Sequence, residues 1–147
     1  VSEYFYRKRR FDAGDRNAHL SNLSKPFEEW VVSTFRDGEM RTRDFFADAG
    51  VAFGERNMVD GQLIWFVPQV EWLGDGQGRL LVHDLLRFEN LRWDWASWAR
   101  KHALPATLSR RNASKRRRDY RSYYSPETRE IVADHYAADL EAFGYLF

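Results

Sequence analysis

No cysteine occurs among the 147 residues of this chain. Its absence excludes disulfide bonds, zinc sites that use cysteine thiolates and catalysis by a thiol nucleophile, and it is consistent with a reducing compartment. Long apolar runs are also lacking, since no stretch approaches the roughly 20 residues that a membrane-spanning helix needs. The first residues do not have the pattern of a signal peptide. The sequence therefore predicts no membrane segment.

Excess charge of one sign is likewise missing. The chain has 23 Lys and Arg against 22 Asp and Glu, a formal net charge of +1 at pH 7. So small a net charge argues against a general nucleic-acid-binding protein. By contrast, the chain is rich in aromatic residues, with six Trp, seven Tyr and eleven Phe. The length and the 44% hydrophobic content predict one domain over residues 1–147.

Positive charge is concentrated in residues 110–118, which read Arg-Arg-Asn-Ala-Ser-Lys-Arg-Arg-Arg. A strongly predicted helix follows, with Ser125 as its N-cap, Pro126 at the first helical position and Gly144 at its end. Apolar residues recur along it at three- and four-residue spacing, so one face is expected to dock on a core. A docked helix holds the loop before it in a fixed place, and we interpret the basic run as an anion-binding loop.

The remaining elements are predicted from shorter patterns. Residues 1–11 are predicted to form a helix, and a second helix follows Ser24 and ends at Asp37-Gly38. Residues 80–88 are almost continuously apolar, which is typical of a strand buried on both faces of a parallel sheet. Asp94 is predicted to cap a helix that turns four residues inward: Trp95, Trp98, Ala99 and His102.

Several short segments occur in an order that is distinctive when they are taken together. They are Ser2-Glu3-Tyr4-Phe5-Tyr6, Pro68-Gln69, residues 84–91, Leu104-Pro105, Asn112-Ala113-Ser114, Tyr123-Tyr124, Tyr136-Ala137-Ala138-Asp139 and Phe143-Gly144-Tyr145. In order and spacing they resemble the carbohydrate sulfotransferases of the sulfotransferase family 2 type, over most of the chain. The resemblance implies an α/β fold of the P-loop nucleotide-binding kind, of which this chain is the C-terminal part, mostly helical with few parallel strands.

We expect the N-terminal strand–loop–helix of that fold to lie upstream of Val1. No G-x-x-x-x-G-K-[ST] loop is present, and the chain opens directly into a helical pattern without Met. One predicted strand cannot form a parallel sheet alone. The resemblance places the loop for the 5′-phosphosulfate, an Arg for the 3′-phosphate and the catalytic base in the same upstream region. No catalytic residue is therefore assigned within the chain.

The cofactor that the resemblance implies is 3′-phosphoadenosine 5′-phosphosulfate, with adenosine 3′,5′-bisphosphate as its product and no metal. Ser2 looks like the serine that binds the 3′-phosphate at a helix start, and Phe88 like an aromatic residue near the adenine. Gln69 would shape the acceptor site. Four residues of the basic run would close over the 3′-phosphate: Asn112, Ser114, Lys115 and Arg116. The structural alternatives are a helix cap for Ser2, core packing for Phe88, and turns for Gln69, Asn112 and Ser114.

The implied partner is a carbohydrate or glycolipid acceptor, with no nucleic acid. The lack of cysteine and of a membrane anchor favours a bacterial cytoplasmic enzyme, whereas a eukaryotic relative would work in the Golgi lumen. The four histidines show no metal-ligand spacing, and Asp139 is expected to fix the terminal helix or the basic loop through an ion pair.

Two other hypotheses stay open from the residues alone. The first is a non-enzymatic nucleic-acid or polyanion binder, in which residues 110–118 supply charge and Tyr120, Tyr123 and Tyr124 supply stacking surfaces. The second is an inactive remnant whose exposed Trp and Phe side chains would cause nonspecific association.

Overall fold

The computed structural model describes residues 2–14, 23–39, 41–42, 57–59, 61–109 and 119–146. This part of the chain is mostly helical and carries a small two-stranded sheet. It divides into two compact units: the larger unit combines Val1–Trp72 with Ser114–Phe147, and the smaller unit is Leu73–Ala113. None of the described helices is both long enough and apolar enough to cross a bilayer.

Two helices open the larger unit where the sequence predicts them. Helix α1 spans Ser2–Asp12, and α2 spans Phe27–Val31 before it widens into a π-helical turn at Val32–Arg36. Gly38 follows with a φ of 80°, a left-handed conformation that carries no steric penalty for glycine. The predicted end of the second helix at Asp37-Gly38 is therefore confirmed.

Aromatic rings form the core of the larger unit. The Tyr4 ring of α1 packs edge-on against Phe27, with 5.3 Å between centroids, and its centroid lies 5.3 Å from that of Trp30. All three side chains are buried, and the Tyr4 hydroxyl donates to the Lys25 carbonyl at 3.0 Å. Aromatic pairs of this kind contribute about 0.5–1.5 kcal/mol each beyond the burial of their area. This cluster therefore holds α1 against α2.

The described sheet of the larger unit is antiparallel. Strands β1 (Met58–Val59) and β2 (Gln62–Leu63) pair with Met58 opposite Leu63, and Gly61 in the connecting turn has a φ of 78°. Gln62 also forms a bridge with Thr42. A two-residue turn can join only antiparallel neighbours, because parallel strands need a longer crossover. The parallel strands that the resemblance implies are therefore not found among the described residues.

The strand predicted over residues 80–88 is not formed. Leu80 makes an isolated bridge with Gly74, and the Leu81 N–H donates to the Leu73 carbonyl at 2.7 Å. The following residues belong to no ladder, and Leu81 and Leu85 are 59% and 48% exposed. A strand needs a neighbour to pair its backbone N–H and C=O groups, and no described strand runs beside this stretch. The prediction of a strand buried on both faces is therefore wrong here.

Helix α3 spans Gln69–Leu73, and the smaller unit contains helix α4 at Leu91–Lys101, which follows a 3-10 turn at Phe88–Asn90. Asp94 lies inside the first turn of α4 rather than at its N-cap. Its carboxylate accepts the Arg87 N–H at 3.3 Å. The prediction that Asp94 caps this helix is therefore wrong: it fixes the backbone that leads into the 3-10 turn.

One face of α4 carries two tryptophans whose indole N–H groups donate hydrogen bonds to residues before and after the helix. The Trp98 indole N–H donates to Asp84 at 3.0 Å, and the Trp95 indole N–H donates to the Pro105 carbonyl at 3.1 Å. Ala99 is fully buried on this face, as predicted, but His102 is exposed with its ring 4.3 Å from that of Trp98. The predicted inward face is thus confirmed except at His102, which lies beyond the end of the helix.

The predicted terminal helix is two helices, α5 at Pro126–His135 and α6 at Ala137–Phe143, separated at Tyr136. Ser125 is the N-cap, as predicted. Its hydroxyl accepts the Thr128 N–H at 3.3 Å, and its own N–H donates to the Thr128 hydroxyl at 3.0 Å, which completes a capping box. Gly144 ends α6 with a φ of 61°, and the next N–H donates back to the Leu140 carbonyl at 3.0 Å, as in a Schellman motif.

The capping box predicts a measurable effect on stability. We expect Ser125→Ala to lower the free energy of unfolding by about 1 kcal/mol, because the first turn of α5 loses its side-chain acceptor. Urea unfolding followed by far-ultraviolet circular dichroism measures this. Ser97→Ala, at an exposed position within α4, is the control and should change stability little. Equal effects of the two substitutions would show that the cap contributes nothing specific.

Candidate functional site

Six residues are predicted to bind the nucleotide, and the structure describes only part of that set. Ser2 is the first residue of α1, but its side chain lies outside the described part of the chain. Phe88 belongs to the smaller unit and begins the 3-10 turn there, with 74% of its surface exposed. Core packing is therefore not the role of Phe88. The remaining four residues also lie outside the described part: Asn112, Ser114, Lys115 and Arg116.

Gln69, the predicted acceptor contact, is held in place by Asp139. One carboxylate oxygen of Asp139 accepts the Gln69 N–H at 2.9 Å, and the other accepts the Val70 N–H at 2.8 Å. Hydrogen bonds to an ionised acceptor are stronger than neutral ones, and a carboxylate at a helix N-terminus also favours the helix dipole. The Gln69 side chain is exposed. Asp139 thus positions the backbone of Gln69 and leaves its side chain open to solvent.

The role predicted for Asp139 is corrected by these contacts. The sequence suggested an ion pair that fixes the terminal helix or the basic loop. Its described partners are instead two backbone N–H groups of α3, about 70 positions earlier in the chain. Helix α6 therefore serves as a support for the turn at Pro68-Gln69.

His135 reaches the same turn from the end of α5. Its Nε2 lies 2.8 Å from the Phe66 carbonyl, and its Nδ1 lies 3.5 Å from Arg41 Nη1. A carbonyl only accepts, so Nε2 carries the proton and Nδ1 of the neutral ring is left as an acceptor for Arg41. Arg41 Nη1 also donates to Gln62 Oε1 at 3.0 Å. His135 and Asp139 together grip residues 66–70, and we call this arrangement the clasp.

The surroundings of His135 keep its ring neutral near pH 7. Burial lowers the pKa of His135 below its ordinary value, and the nearby Arg41 charge lowers it further. The hydrogen bond to the Phe66 carbonyl and the Asp139 carboxylate oppose this shift, but the net pKa is lowered. Protonation would place a second positive charge 3.5 Å from the Arg41 guanidinium. The clasp is therefore built around a neutral imidazole.

Two of the three tyrosines near the basic run are part of the core. Tyr123 packs 5.0 Å from Phe5, and Tyr124 packs edge-on 5.1 Å from Phe27, measured between ring centroids. Burial raises the pKa of Tyr124 to about 12. Tyr120 differs, because its ring is exposed and the Arg121 guanidinium lies over it at 4.9 Å. Of these three tyrosines, Tyr120 is therefore the exposed one.

An open groove of about 710 Å³ is lined by α5, α6 and the segments that flank them, and we call it the tail groove. Helix α5 supplies side chains three, four and seven positions apart, so one face of it forms a wall. The tail after Gly144 supplies another wall, because the Schellman motif turns the chain back there. Ten residues line the groove: Arg121, Tyr124, Ser125, Pro126, Arg129, Glu130, Ala133, Leu140, Tyr145 and Leu146.

Metal ligation has no support in the described part of the chain. No group of three or more His, Asp or Glu side chains is arranged there to hold a metal ion. Sequence reasoning identified neither the clasp nor the tail groove. The four-residue spacing of His135 and Asp139 was visible, but their partners lie about 70 to 94 positions away and cannot be read from local patterns.

The clasp predicts a dependence of stability on pH. Since the folded pKa of His135 is below the unfolded value of about 6.5, the unfolded chain binds more protons in the interval between them. The contribution of the neutral His135 ring to the free energy of unfolding is thus fully present above about pH 6.5. It is lost as the pH falls through the folded pKa. The unfolding temperatures of the parent chain and of His135→Gln should therefore approach each other as the pH is lowered. His102→Gln, at an exposed histidine, is the control substitution.

A second prediction concerns Asp139. Asp139→Asn should lower the free energy of unfolding by about 1–3 kcal/mol, because an amide carries no charge and its single oxygen can accept only one of the two N–H groups. Amide hydrogen exchange should accelerate at Gln69 and Val70 before other sites. Asp134→Asn, at an exposed position of α5, is the matched control. Unchanged exchange at residues 69–70 in Asp139→Asn would contradict the clasp.

Comparison with known proteins found no match for the chain among family models, curated proteins or solved structures. A function is therefore proposed from its own residues and contacts.

Proposed function

We propose that this chain is part of a sulfotransferase that moves a sulfuryl group from 3′-phosphoadenosine 5′-phosphosulfate to a hydroxyl of a carbohydrate or glycolipid. We further propose that its helices are the C-terminal part of an α/β, P-loop-like nucleotide-binding fold. The observation that supports this best is that segments carrying the family resemblance contact one another. Such contacts are expected if these segments together form the framework of one site.

Two of these contacts lie in the larger unit. The segment at residues 2–6 meets the tyrosine pair through Phe5 and Tyr123, whose rings are 5.0 Å apart. The Pro68-Gln69 segment meets the segment at residues 136–139 through the two hydrogen bonds of Asp139. The start of α1, the turn at Gln69 and the C-terminal helices therefore belong to one packed framework. That framework would hold Ser2 and Gln69 at defined places relative to each other.

The chemistry of the donor suits the residue types that the chain offers. A nucleotide with two phosphates needs hydrogen-bond donors and positive charge at both. Ser2 stands at the start of the 11-residue helix α1, where N–H groups and the helix dipole favour an anion. Lys115 and Arg116 would supply cations, and Asn112 and Ser114 would supply amide and hydroxyl donors. Phe88 is exposed, so its ring is available to stack on a base.

Sulfuryl transfer forms a bond between the acceptor oxygen and sulfur while the bond from sulfur to the phosphate oxygen breaks. Negative charge builds on the leaving phosphate, where fixed cations and N–H groups stabilise it. The acceptor hydroxyl gives its proton to a general base, for which no residue of this chain is assigned. Gln69 could orient the acceptor through its amide, which both donates and accepts.

The alternative of a nucleic-acid or polyanion binder is weakened by the packing of the tyrosines. Tyr123 and Tyr124 use their rings in the core, so they are not free stacking platforms. Charge without stacking gives only salt-sensitive, nonspecific binding. The basic run remains compatible with that weaker activity.

Calorimetric titration with adenosine 3′,5′-bisphosphate tests the proposal. We expect selective binding by the complete protein, with the expected upstream segment included, and we expect Lys115→Ala in that protein to weaken it by about tenfold through loss of a charge-assisted contact. Lys101→Ala, at an exposed lysine of α4, is the control and should bind like the parent. If ATP and inorganic sulfate bind as well as the bisphosphate, or if both lysine variants behave alike, the nucleotide site is not the one proposed. A steep salt dependence of RNA binding would support the polyanion alternative instead.

A further inference from the structure

The tail groove shares no residue with the set proposed for the nucleotide or the acceptor. Its volume of about 710 Å³ lies within the range of pockets that hold small organic ligands, roughly 300–1,000 Å³. Part of its lining is apolar or aromatic, as at Leu140, Tyr145 and Leu146. A bare inorganic ion would leave that surface in contact with water. An occupant with an apolar body would cover it and gain hydrophobic stabilisation.

The polar side chains of the groove carry an excess of positive charge. Arg121 and Arg129 line it, against one carboxylate, Glu130. The groove also contains the start of α5 at Pro126, where the positive end of the helix dipole lies. Arg121 holds its guanidinium over the Tyr120 ring at 4.9 Å, which fixes the direction of that charge. The electrostatic balance favours a negative group on the occupant.

Two capping motifs stabilise segments that border the groove. The capping box at Ser125 and Thr128 anchors the first turn of α5. The Schellman motif at Gly144 sets the direction of the tail, and Arg121 Nη2 donates to the Leu146 carbonyl at 3.4 Å across the groove. Sites whose walls are already ordered lose less conformational entropy on binding. These contacts order the first turn of α5 and the start of the tail, the two segments that border the groove.

We propose that the tail groove binds a small aromatic carboxylate, with its ring against Leu140 and Tyr145 and its carboxylate toward Arg121 and Arg129. Guanidinium groups match the planar geometry of a carboxylate, and an aromatic ring packs well against a tyrosine face. The groove would thus bind an anion that is chemically different from the proposed nucleotide.

A pair of probes that differ only in charge tests this site. We expect 1-naphthaleneacetate to bind the full chain about tenfold more tightly than 1-naphthaleneacetamide, by fluorescence titration, because the arginines recognise the carboxylate. Arg129→Met should remove that preference, whereas Glu130→Gln should increase the affinity for the carboxylate. Arg92→Met, on α4 and outside the groove, should leave both probes unaffected.

Filling the groove gives a second, independent measurement. Ala133→Trp places a large ring on the groove face of α5 and should abolish binding of both probes, while circular dichroism confirms that the helices remain. The proposal is overturned if neither probe binds, if the amide binds as well as the carboxylate, or if Arg92→Met weakens binding as much as Arg129→Met does. Retention of binding in Ala133→Trp would also overturn it, since the probes would then lie elsewhere.

Discussion

The packing of aromatic rings is the constraint on which the larger unit depends. Trp30 lies at the centre of this packing, with its ring centroid 5.3 Å from Tyr4, 5.9 Å from Phe35 and 6.4 Å from Phe66. Phe35 in turn lies 5.0 Å from the His135 ring. A continuous path of ring contacts thus runs from α1 through α2 to the end of α5. Helices of five to eleven residues are too short to be stable alone, so this tertiary packing is what maintains them.

In the clasp, two ionisable side chains form hydrogen bonds with one short turn. Asp139 acts as an anion on the N–H groups of Gln69 and Val70, and His135 acts as a neutral donor to the Phe66 carbonyl. In both roles the side chain acts in its deprotonated form, since the carboxylate accepts through both oxygens and the neutral imidazole donates through Nε2. Arg41 reinforces the second role by its charge. Acidification, which protonates His135, therefore weakens the hold on the turn that carries Gln69.

Local sequence signals were sufficient where the physics is local. A Ser-Pro pair starts a helix and a glycine ends one because backbone capping involves residues only a few positions apart, and both predictions at Ser125 and Gly144 are confirmed. The strand over residues 80–88 fails for the opposite reason. An apolar run describes what a segment could bury, but a strand exists only if another strand pairs with it. The break at Tyr136 also had no local signal.

The features of the candidate site also separate into those set by local sequence and those set by tertiary structure. The sequence by itself determined the caps, the concentration of positive charge at residues 110–118 and the exclusion of cysteine chemistry. Only the tertiary structure decided that Asp139 holds the start of α3, that His135 is neutral between Phe66 and Arg41, and that Tyr123 and Tyr124 belong to the core. The physical reason is distance along the chain. Capping energies arise within one turn of helix, whereas burial, charge proximity and pKa values are set by residues that folding brings together from about 70 or more positions away.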